Sequence, residues 1–277
     1  MNVAYNVGFI GVGNMGEAIV RGLKRRSPEV RVALFDPDLA KTAPLVEALG
    51  CVALSNARAV AAASEVIVLA VKPGGITPLL RELRGALGHR PTIVSVAAGV
   101  SLAAMEHAVG GEAVIVRSMP NTPCLVGRGV TAIAVGQGAD EGRAAAIRDV
   151  LSAVGMVVDV AESQLDAVTA LSGSGPAYVF RFIEGLITGG VALGLDRELA
   201  TQLAIATVGG AAALAEESDD APDVLRARVT SPGGTTAAAI RSFDAQGLVA
   251  MVTTAMAAAA ARSVEMTAQF SALEGDA

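Results

Sequence analysis

Three glycines, Gly11, Gly13 and Gly16, stand in G-x-G-x-x-G spacing directly behind the apolar run Val7-Gly8-Phe9-Ile10. Each has a separate job in such a loop: a tight turn, close approach of the backbone to a pyrophosphate, and close packing of the following helix on the strand. Asp36 follows twenty residues after Gly16 at the end of a second apolar run, where a carboxylate can accept hydrogen bonds from a ribose. Further along, Pro120 and Pro123 bracket Asn121 and Thr122, a stiff turn that fixes the directions of an amide and a hydroxyl. Two more loops combine hydroxyls with glycines, Leu171-Ser172-Gly173-Ser174-Gly175-Pro176 and Val229-Thr230-Ser231-Pro232-Gly233-Gly234-Thr235-Thr236. Hydroxyls and glycine amides at a helix start form a compact carboxylate receptor without any arginine. Singly, these features also read as a glycine-rich turn, a strand connection and two helix caps. Found together beside a dinucleotide-binding pattern, the two loops favour a carboxylate receptor over simple caps.

The elements that must position these residues follow from periodicity. A strand over 7–10 feeds the glycine loop, a helix-compatible run covers 17–25, and a second strand covers 31–36. A helix over 39–49 ends at Gly50, a favourable cap, followed by a short strand over 52–54 and a helix over 57–63. The run Glu65-Val66-Ile67-Val68-Leu69-Ala70-Val71 is the continuous apolar pattern of a strand covered on both faces. Lys72-Pro73 ends it, and the carboxyl end of such a strand faces the ligand crevice, so Lys72 lies near a cofactor or is a solvated loop lysine. Strands over 93–97 and 113–117 flank a helix over 102–109, and strands over 129–135 and 156–160 flank a helix over 141–153. Alternation of this kind predicts a parallel sheet. From Ala161 onward only helical segments separated by the two hydroxyl loops are found, which places a domain boundary near residue 162.

Composition excludes several classes. The chain has 277 residues, 52% of them hydrophobic and 17% charged, and its mean hydropathy is positive. A membrane protein therefore has to be weighed, but Arg181 and Glu184 interrupt the long helix expected over 176–195. Thr253 and Thr254 interrupt the alanine-rich stretch after Ala250, so neither is expected to give a clean span of about 20 apolar residues. Helix faces buried between subunits account for the excess apolar content. The start of the chain lacks a basic segment followed by an apolar one, which leaves the cytoplasm as the expected location. A net charge of −6 with no Trp argues against a nucleic-acid surface. Cys51 and Cys124 are isolated, and His89 and His107 have no ligand spacing, so no metal site and no Ser-His or Cys-His pair is expected.

With these residues assembled, the chain resembles the pyrroline-5-carboxylate reductases over nearly its whole length. The resemblance rests on Gly11-Val12-Gly13-Asn14-Met15-Gly16, Ala70-Val71-Lys72-Pro73, Met119-Pro120-Asn121-Thr122-Pro123, the segment 171–178 and the segment 229–236, the last two being far more specific than the glycine pattern. It implies an α/β fold: a Rossmann-type dinucleotide-binding domain over 1–162, then an all-α dimerisation and substrate-binding domain over 163–277. That domain would intertwine with a second copy, often within a decamer. It implies hydride transfer from NADH or NADPH to 1-pyrroline-5-carboxylate, giving proline in the last step of its biosynthesis. An iminium carbon is already electrophilic, so the protein chiefly holds donor and acceptor in register and excludes water. By the same resemblance Val229, Ser231, Gly233, Gly234, Thr235 and Thr236 would hold the substrate carboxylate. Thr169 would orient the ring nitrogen or relay its proton, unless its hydroxyl merely bonds its own preceding turn. Asn121 and Thr122 would border the nicotinamide. Gly11, Gly13, Asn14, Met15, Gly16, Asp36, Ala70, Val71, Lys72 and Pro73 would surround the rest of the cofactor.

Two positions depart from the family pattern. Many relatives carry Ser, Asn or Arg where this chain has Asp36, whose charge would repel the extra phosphate of NADPH, so NADH is expected to serve at least as well. Thr188 stands where relatives often have an acidic residue, and a subunit contact is one reading of it. Among rivals, hydroxyacid dehydrogenases of this build rely on a lysine in the helical domain, and no Lys occurs from Ala161 onward. An imine reductase acting on another substrate remains open. A dinucleotide-binding sensor would keep the glycine loop without needing the Ser-Pro-Gly-Gly-Thr-Thr segment.

Overall fold

The computed structural model describes residues 5–272. Two compact units emerge, Met1–Ser174 with Ala259–Ala277, and Gly175–Ala258. The first unit is built from β1 (Tyr5–Ile10), α1 (Asn14–Arg26), β2 (Val32–Phe35), α2 (Leu39–Leu49), β3 (Val52–Ala53), α3 (Ala57–Ala63), β4 (Ser64–Leu69) and α4 (Ile76–Leu83). There follow β5 (Thr92–Ser95), α5 (Leu102–Val109), β6 (Val114–Met119), β7 (Gly129–Val135), α6 (Glu141–Ser152), β8 (Gly155–Asp159) and α7 (Leu165–Val168). Among the described residues they form one eight-stranded sheet in the order β3-β2-β1-β4-β5-β6-β7-β8.

Alternate residues of the strands feed opposite cores, as the two-residue period requires, except in the short edge strand β3, whose two residues are exposed. Ile10, Ile67, Leu69, Ile93 and Ile115 pack with residues of α3, α4 and α5. Phe9, Leu34, Val68, Val94 and Val116 pack with residues of α1, α2 and α6. The result is a three-layer, doubly wound domain. Local signals set its helix ends: Asp38 accepts from the Ala40 amide at the start of α2, and Gly50 closes that helix at φ +64°.

The parallel expectation is corrected at the far edge. β7 runs antiparallel to β6, and β8 then runs parallel to β7. Only residues 120–128 separate β6 from β7, fewer than the dozen or so a parallel crossover needs, so the chain turns back on itself. A second omission is α4, where the sequence reading names no element between Pro73 and Ile93. Its opening Gly74-Gly75 and the proline at 78 read as a loop, yet Ile76, Leu80 and Leu83 are fully buried and tertiary packing decides.

The second unit contains α8 (Gly175–Ala192), α9 (Arg197–Glu217), α10 (Pro222–Arg228), α11 (Thr235–Ala245) and the first part of α12 (Leu248–Ala272). Asp196 caps α9 through the Leu199 amide, and Gly190 lets α8 approach Ala200, where a Cβ would lie 3.2 Å from that residue's own. These helices leave large apolar side chains uncovered within the chain, among them Phe180, Leu193, Leu203, Ile205, Val249 and Met251. Two helices among the described residues, Arg197–Glu217 and Leu248–Phe270, are long and apolar enough to cross a membrane. This corrects the expectation for the alanine-rich segment, because two threonines within so many alanines lower its apolar character little.

The compact division falls later than the compositional change at residue 162. The segment after β8 still belongs to the sheet's core, with Leu165 1% and Ala170 2% exposed. From Ala259 the chain returns to the first unit, where the Ser263 hydroxyl donates to Asp166 Oδ1 of α7 at 2.6 Å.

Candidate active site

The glycine loop is fixed by the protein at two of its three positions. Gly11 has φ +89°, its amide donates to the Phe35 carbonyl at 2.8 Å, and a Cβ there would lie 2.6 Å from the Ala70 carbonyl oxygen. At Gly16 a Cβ would lie 2.7 Å from the Gly11 carbonyl oxygen. At Gly13 it would meet no protein atom within 4 Å, so nothing in the chain demands glycine there, and the outer surface of the loop suits close approach of a pyrophosphate. Gly13 is also the N-cap of α1 with no side-chain cap. Gly13 thus leaves the first-turn amides of Asn14, Met15 and Gly16 without a cap from the N-cap side chain, an arrangement that favours an anion. Met15 packs back onto the core, while the Ala70 amide donates to the Ile10 carbonyl at 2.9 Å and joins the end of β4 to the loop. Val71 borders the core, Lys72 is exposed, and Pro73 opens a short 3-10 turn.

Asp36 does more than end β2. It is 5% exposed, and its Oδ2 accepts from the Val12 amide at 2.8 Å while Oδ1 accepts from the Asp38 amide at 2.9 Å. The Lys41 ammonium lies 3.4 Å from Oδ1. Burial pushes the carboxyl up, but the two amides and the Lys41 charge outweigh it and hold the group below its ordinary value. Asp36 is thus an ionised anchor of the glycine loop, with Lys41 as a counter-ion that the sequence reading missed. The available signal was spacing, since Lys41 follows the N-cap Asp38 of α2 by less than one helical turn.

Asn121 has both ends of its amide engaged. Its Nδ2 donates to the Ser172 carbonyl at 3.0 Å and its Oδ1 accepts from the Val130 amide at 2.9 Å. The residue ties the start of β7 to the turn after α7, while its neighbour Thr122 is exposed. That turn, Thr169–Gly173, is a short π-helix, closed by the Ser174 amide donating to the Thr169 carbonyl at 2.8 Å. Single π turns of this kind cluster at functional sites. The Thr169 hydroxyl donates to the Leu165 carbonyl at 2.7 Å, so its proton is committed and its oxygen lone pairs remain as acceptors.

All of these residues belong to the first unit. The segment 229–236 belongs to the second. There Gly233 has φ +71°, the Gly234 amide donates to the Ser231 carbonyl at 3.0 Å, and a Cβ on Gly234 would lie 2.5 Å from Ser231 Oγ. The turn thus brings the Ser231 hydroxyl to the N-terminus of α11, whose N-cap Gly234 supplies no side-chain cap. The opening turn of α11 carries the two hydroxyls of Thr235 and Thr236, a concentration of donors suited to a carboxylate. Val229 is exposed, and the Thr230 hydroxyl is spent on the Arg226 carbonyl at 2.6 Å. Thr188 lies on exposed α8 and donates to the Glu184 carbonyl at 2.8 Å.

Cys51 and Cys124 are buried, and burial raises both thiols, which makes them poor nucleophiles. Among the described residues no three His, Cys, Asp or Glu side chains are grouped to hold a metal ion.

Comparison with known proteins covers both units. Residues 162–266 match the family model for pyrroline-5-carboxylate reductase dimerisation, and residues 6–99 match that for the coenzyme F420-dependent NADP oxidoreductases. A pyrroline-5-carboxylate reductase of Corynebacterium melassecola is 40% identical over 94% of this chain and 98% of its own length. The solved reductase of Coxiella burnetii superposes with a TM-score of 0.91 at 36% identity, covering 95% of this chain and 99% of that one. A Plasmodium falciparum pyrroline carboxylate reductase solved with NADP bound gives 0.83 at 30% identity, covering 96% and 100%. Likeness of this extent, over both the glycine loop and the hydroxyl-lined helix start, means that the chain belongs to the pyrroline-5-carboxylate reductase family.

Proposed function

We propose that this chain reduces 1-pyrroline-5-carboxylate to L-proline with hydride from NADH or NADPH, the last step of proline biosynthesis. The observation that carries the proposal is the near full-length identity to reductases of that name, which spans both motif sets. The nicotinamide, when bound, supplies the hydride. The chain's own residues bind and orient. The amides at the start of α1, with Gly13, receive the pyrophosphate, and Ala70, Val71, Lys72 and Pro73 line the nucleotide beyond it. Asn121 holds the connection after β6 in place, with Thr122 toward the nicotinamide. Ser231, Gly233, Gly234, Thr235 and Thr236, backed by Val229, take the substrate carboxylate. Thr169 accepts a hydrogen bond from the protonated ring nitrogen and so fixes the face of C5 offered to the hydride. Because its own proton is given to Leu165, it orients this nitrogen and the proton enters from elsewhere.

For the cofactor, Asp36 supports NADH, since its ionised carboxylate accepts from ribose hydroxyls and repels a phosphate. Lys41 gives NADPH its support, as an ammonium beside the same position. We read the functional domains as 1–162 for the nucleotide and 163–277 for dimerisation and substrate. The uncovered apolar faces of the second unit then lie in a homodimer, repeated in a decamer, and the two membrane-length helices belong to that interface. The enzyme works in the cytoplasm and contacts neither nucleic acid nor membrane.

The test is oxidation of NADH and of NADPH followed by absorbance, with and without 1-pyrroline-5-carboxylate. Oxidation that depends on the pyrroline supports the proposal. A folded protein that binds either nucleotide yet turns over neither with this substrate would refute it and favour another imine or a sensor.

A further inference from the structure

The last described turns of α12, themselves part of the first unit, contact the rest of it at two places that bear on the reaction. On one side the buried Ser263 hydroxyl donates to Asp166 Oδ1 at 2.6 Å, a short charge-assisted bond across 97 residues of sequence. Asp166 stands one turn before Thr169, and the two share the helix that passes into the π turn. On the other side Phe270 packs against the core beside Gly99, where an added Cβ would lie 3.1 Å from its ring and 3.3 Å from Met266 Cβ. Gly99 has φ +79° and follows β5. The ring also reaches Gly74, with 3.9 Å from a Cβ there, in the turn that Lys72 opens after β4. The carboxyl ends of β4 and β5 adjoin the central crevice of a doubly wound sheet, where a nucleotide lies.

One helix segment therefore bonds α7, one turn before Thr169, and packs on the two loops that follow β4 and β5. We infer that residues 263–270 form a strap, with Ser263 and Phe270 as positioning residues: Ser263 sets Thr169 through Asp166, and Phe270 sets the loops after β4 and β5. Neither side chain contacts substrate. The inference rests on the reductase reading, and wild-type turnover of the pyrroline tests that reading separately.

The experiment compares wild type with Ser263→Ala, Ser263→Thr, Phe270→Ala and Phe270→Leu, measuring both Michaelis constants, kcat and thermal unfolding. Ser263→Ala raises KM for the pyrroline about fivefold and leaves KM for the nucleotide within about twofold, because the lost interaction orients only Thr169. Phe270→Ala does the reverse, raising KM for the nucleotide about fivefold. Threonine at 263 and leucine at 270 restore the respective constants, since each keeps the hydroxyl or the bulk that matters. A purely architectural role would lower kcat and the unfolding temperature with both Michaelis constants unchanged, and that result overturns the inference, as does full wild-type kinetics in both alanine variants. If Ser263→Ala does not fold, the Phe270 pair decides by the same criterion.

Discussion

Replacing Asp36 by asparagine separates charge from hydrogen bonding at the end of β2. The side chain keeps its size, and one amide oxygen can still accept from Val12 or Asp38, the two backbone N–H groups the carboxylate now serves. What disappears is the negative charge. A phosphate on the ribose about 5 Å from that charge would feel roughly 3 kcal/mol of repulsion at an effective dielectric constant of about 20. The Lys41 ammonium, 3.4 Å from the same carboxylate, is present in both proteins, so its attraction for the phosphate drops out of the difference. Loss of the charge is therefore worth about 3 kcal/mol, on the order of a hundredfold in the NADPH to NADH ratio of kcat/KM for Asp36→Asn. Asp36→Ser should shift the ratio in the same direction. The assay is initial rates with each nucleotide at saturating pyrroline, together with calorimetry, because one of the two backbone donors loses its acceptor and stability should fall by about 1–2 kcal/mol. A ratio unchanged within twofold in a folded Asn variant would refute the charge argument and leave Asp36 a purely structural anchor.

Other outcomes follow from the same geometry. Thr236→Ala should raise KM for the pyrroline several-fold more than KM for the nucleotide, and equal effects would contradict its place at the carboxylate. Asn121→Ala should lower stability by about 2–4 kcal/mol, since both the Val130 amide and the Ser172 carbonyl lose a partner, and an unchanged unfolding temperature would show that water replaces both bonds. The folded-state carboxyl of Asp36 lies below its ordinary value near 3.8, so the stability it contributes is complete above that value and is lost as pH falls through the lower, folded one. Acid unfolding of the wild type should accordingly be steeper below about pH 4 than that of Asp36→Asn, and parallel curves would remove Asp36 from the acid transition.

Much of this was legible because the deciding forces were local. Gly11 and Gly16 are glycines for reasons the spacing states, and the helices Ala57–Ala63 and Leu102–Val109 are bounded by caps that the sequence displays. The strand Gly129–Val135 is likewise visible as an element. Its direction is not, because direction depends on how much chain is available to cross the sheet, and a run of Ala, Ile and Val is equally good either way. The helix Ile76–Leu83 was hidden by its glycines and proline, whose local preference yields to the burial of three aliphatic side chains. At the site, types were readable and bonds were not. Nothing in Pro-Asn-Thr-Pro announces that the Asn121 amide bridges to a carbonyl beyond α7, or that the Thr169 proton is already spent.

The return of α12 to the first unit has a consequence for how the protein is made. The nucleotide-binding unit is discontinuous in sequence, with Met1–Ser174 closed by a segment that begins at Ala259. A ribosome delivers the sheet and Thr169 well before Ser263, and at about 5–20 residues per second the partner of Asp166 arrives several seconds late. During that interval the sheet can fold with its Thr169 turn unbraced, and the helices of the second unit, with their uncovered apolar faces, emerge in between. Bracing of the Thr169 turn thus comes later in synthesis than the apolar helix faces of the second unit.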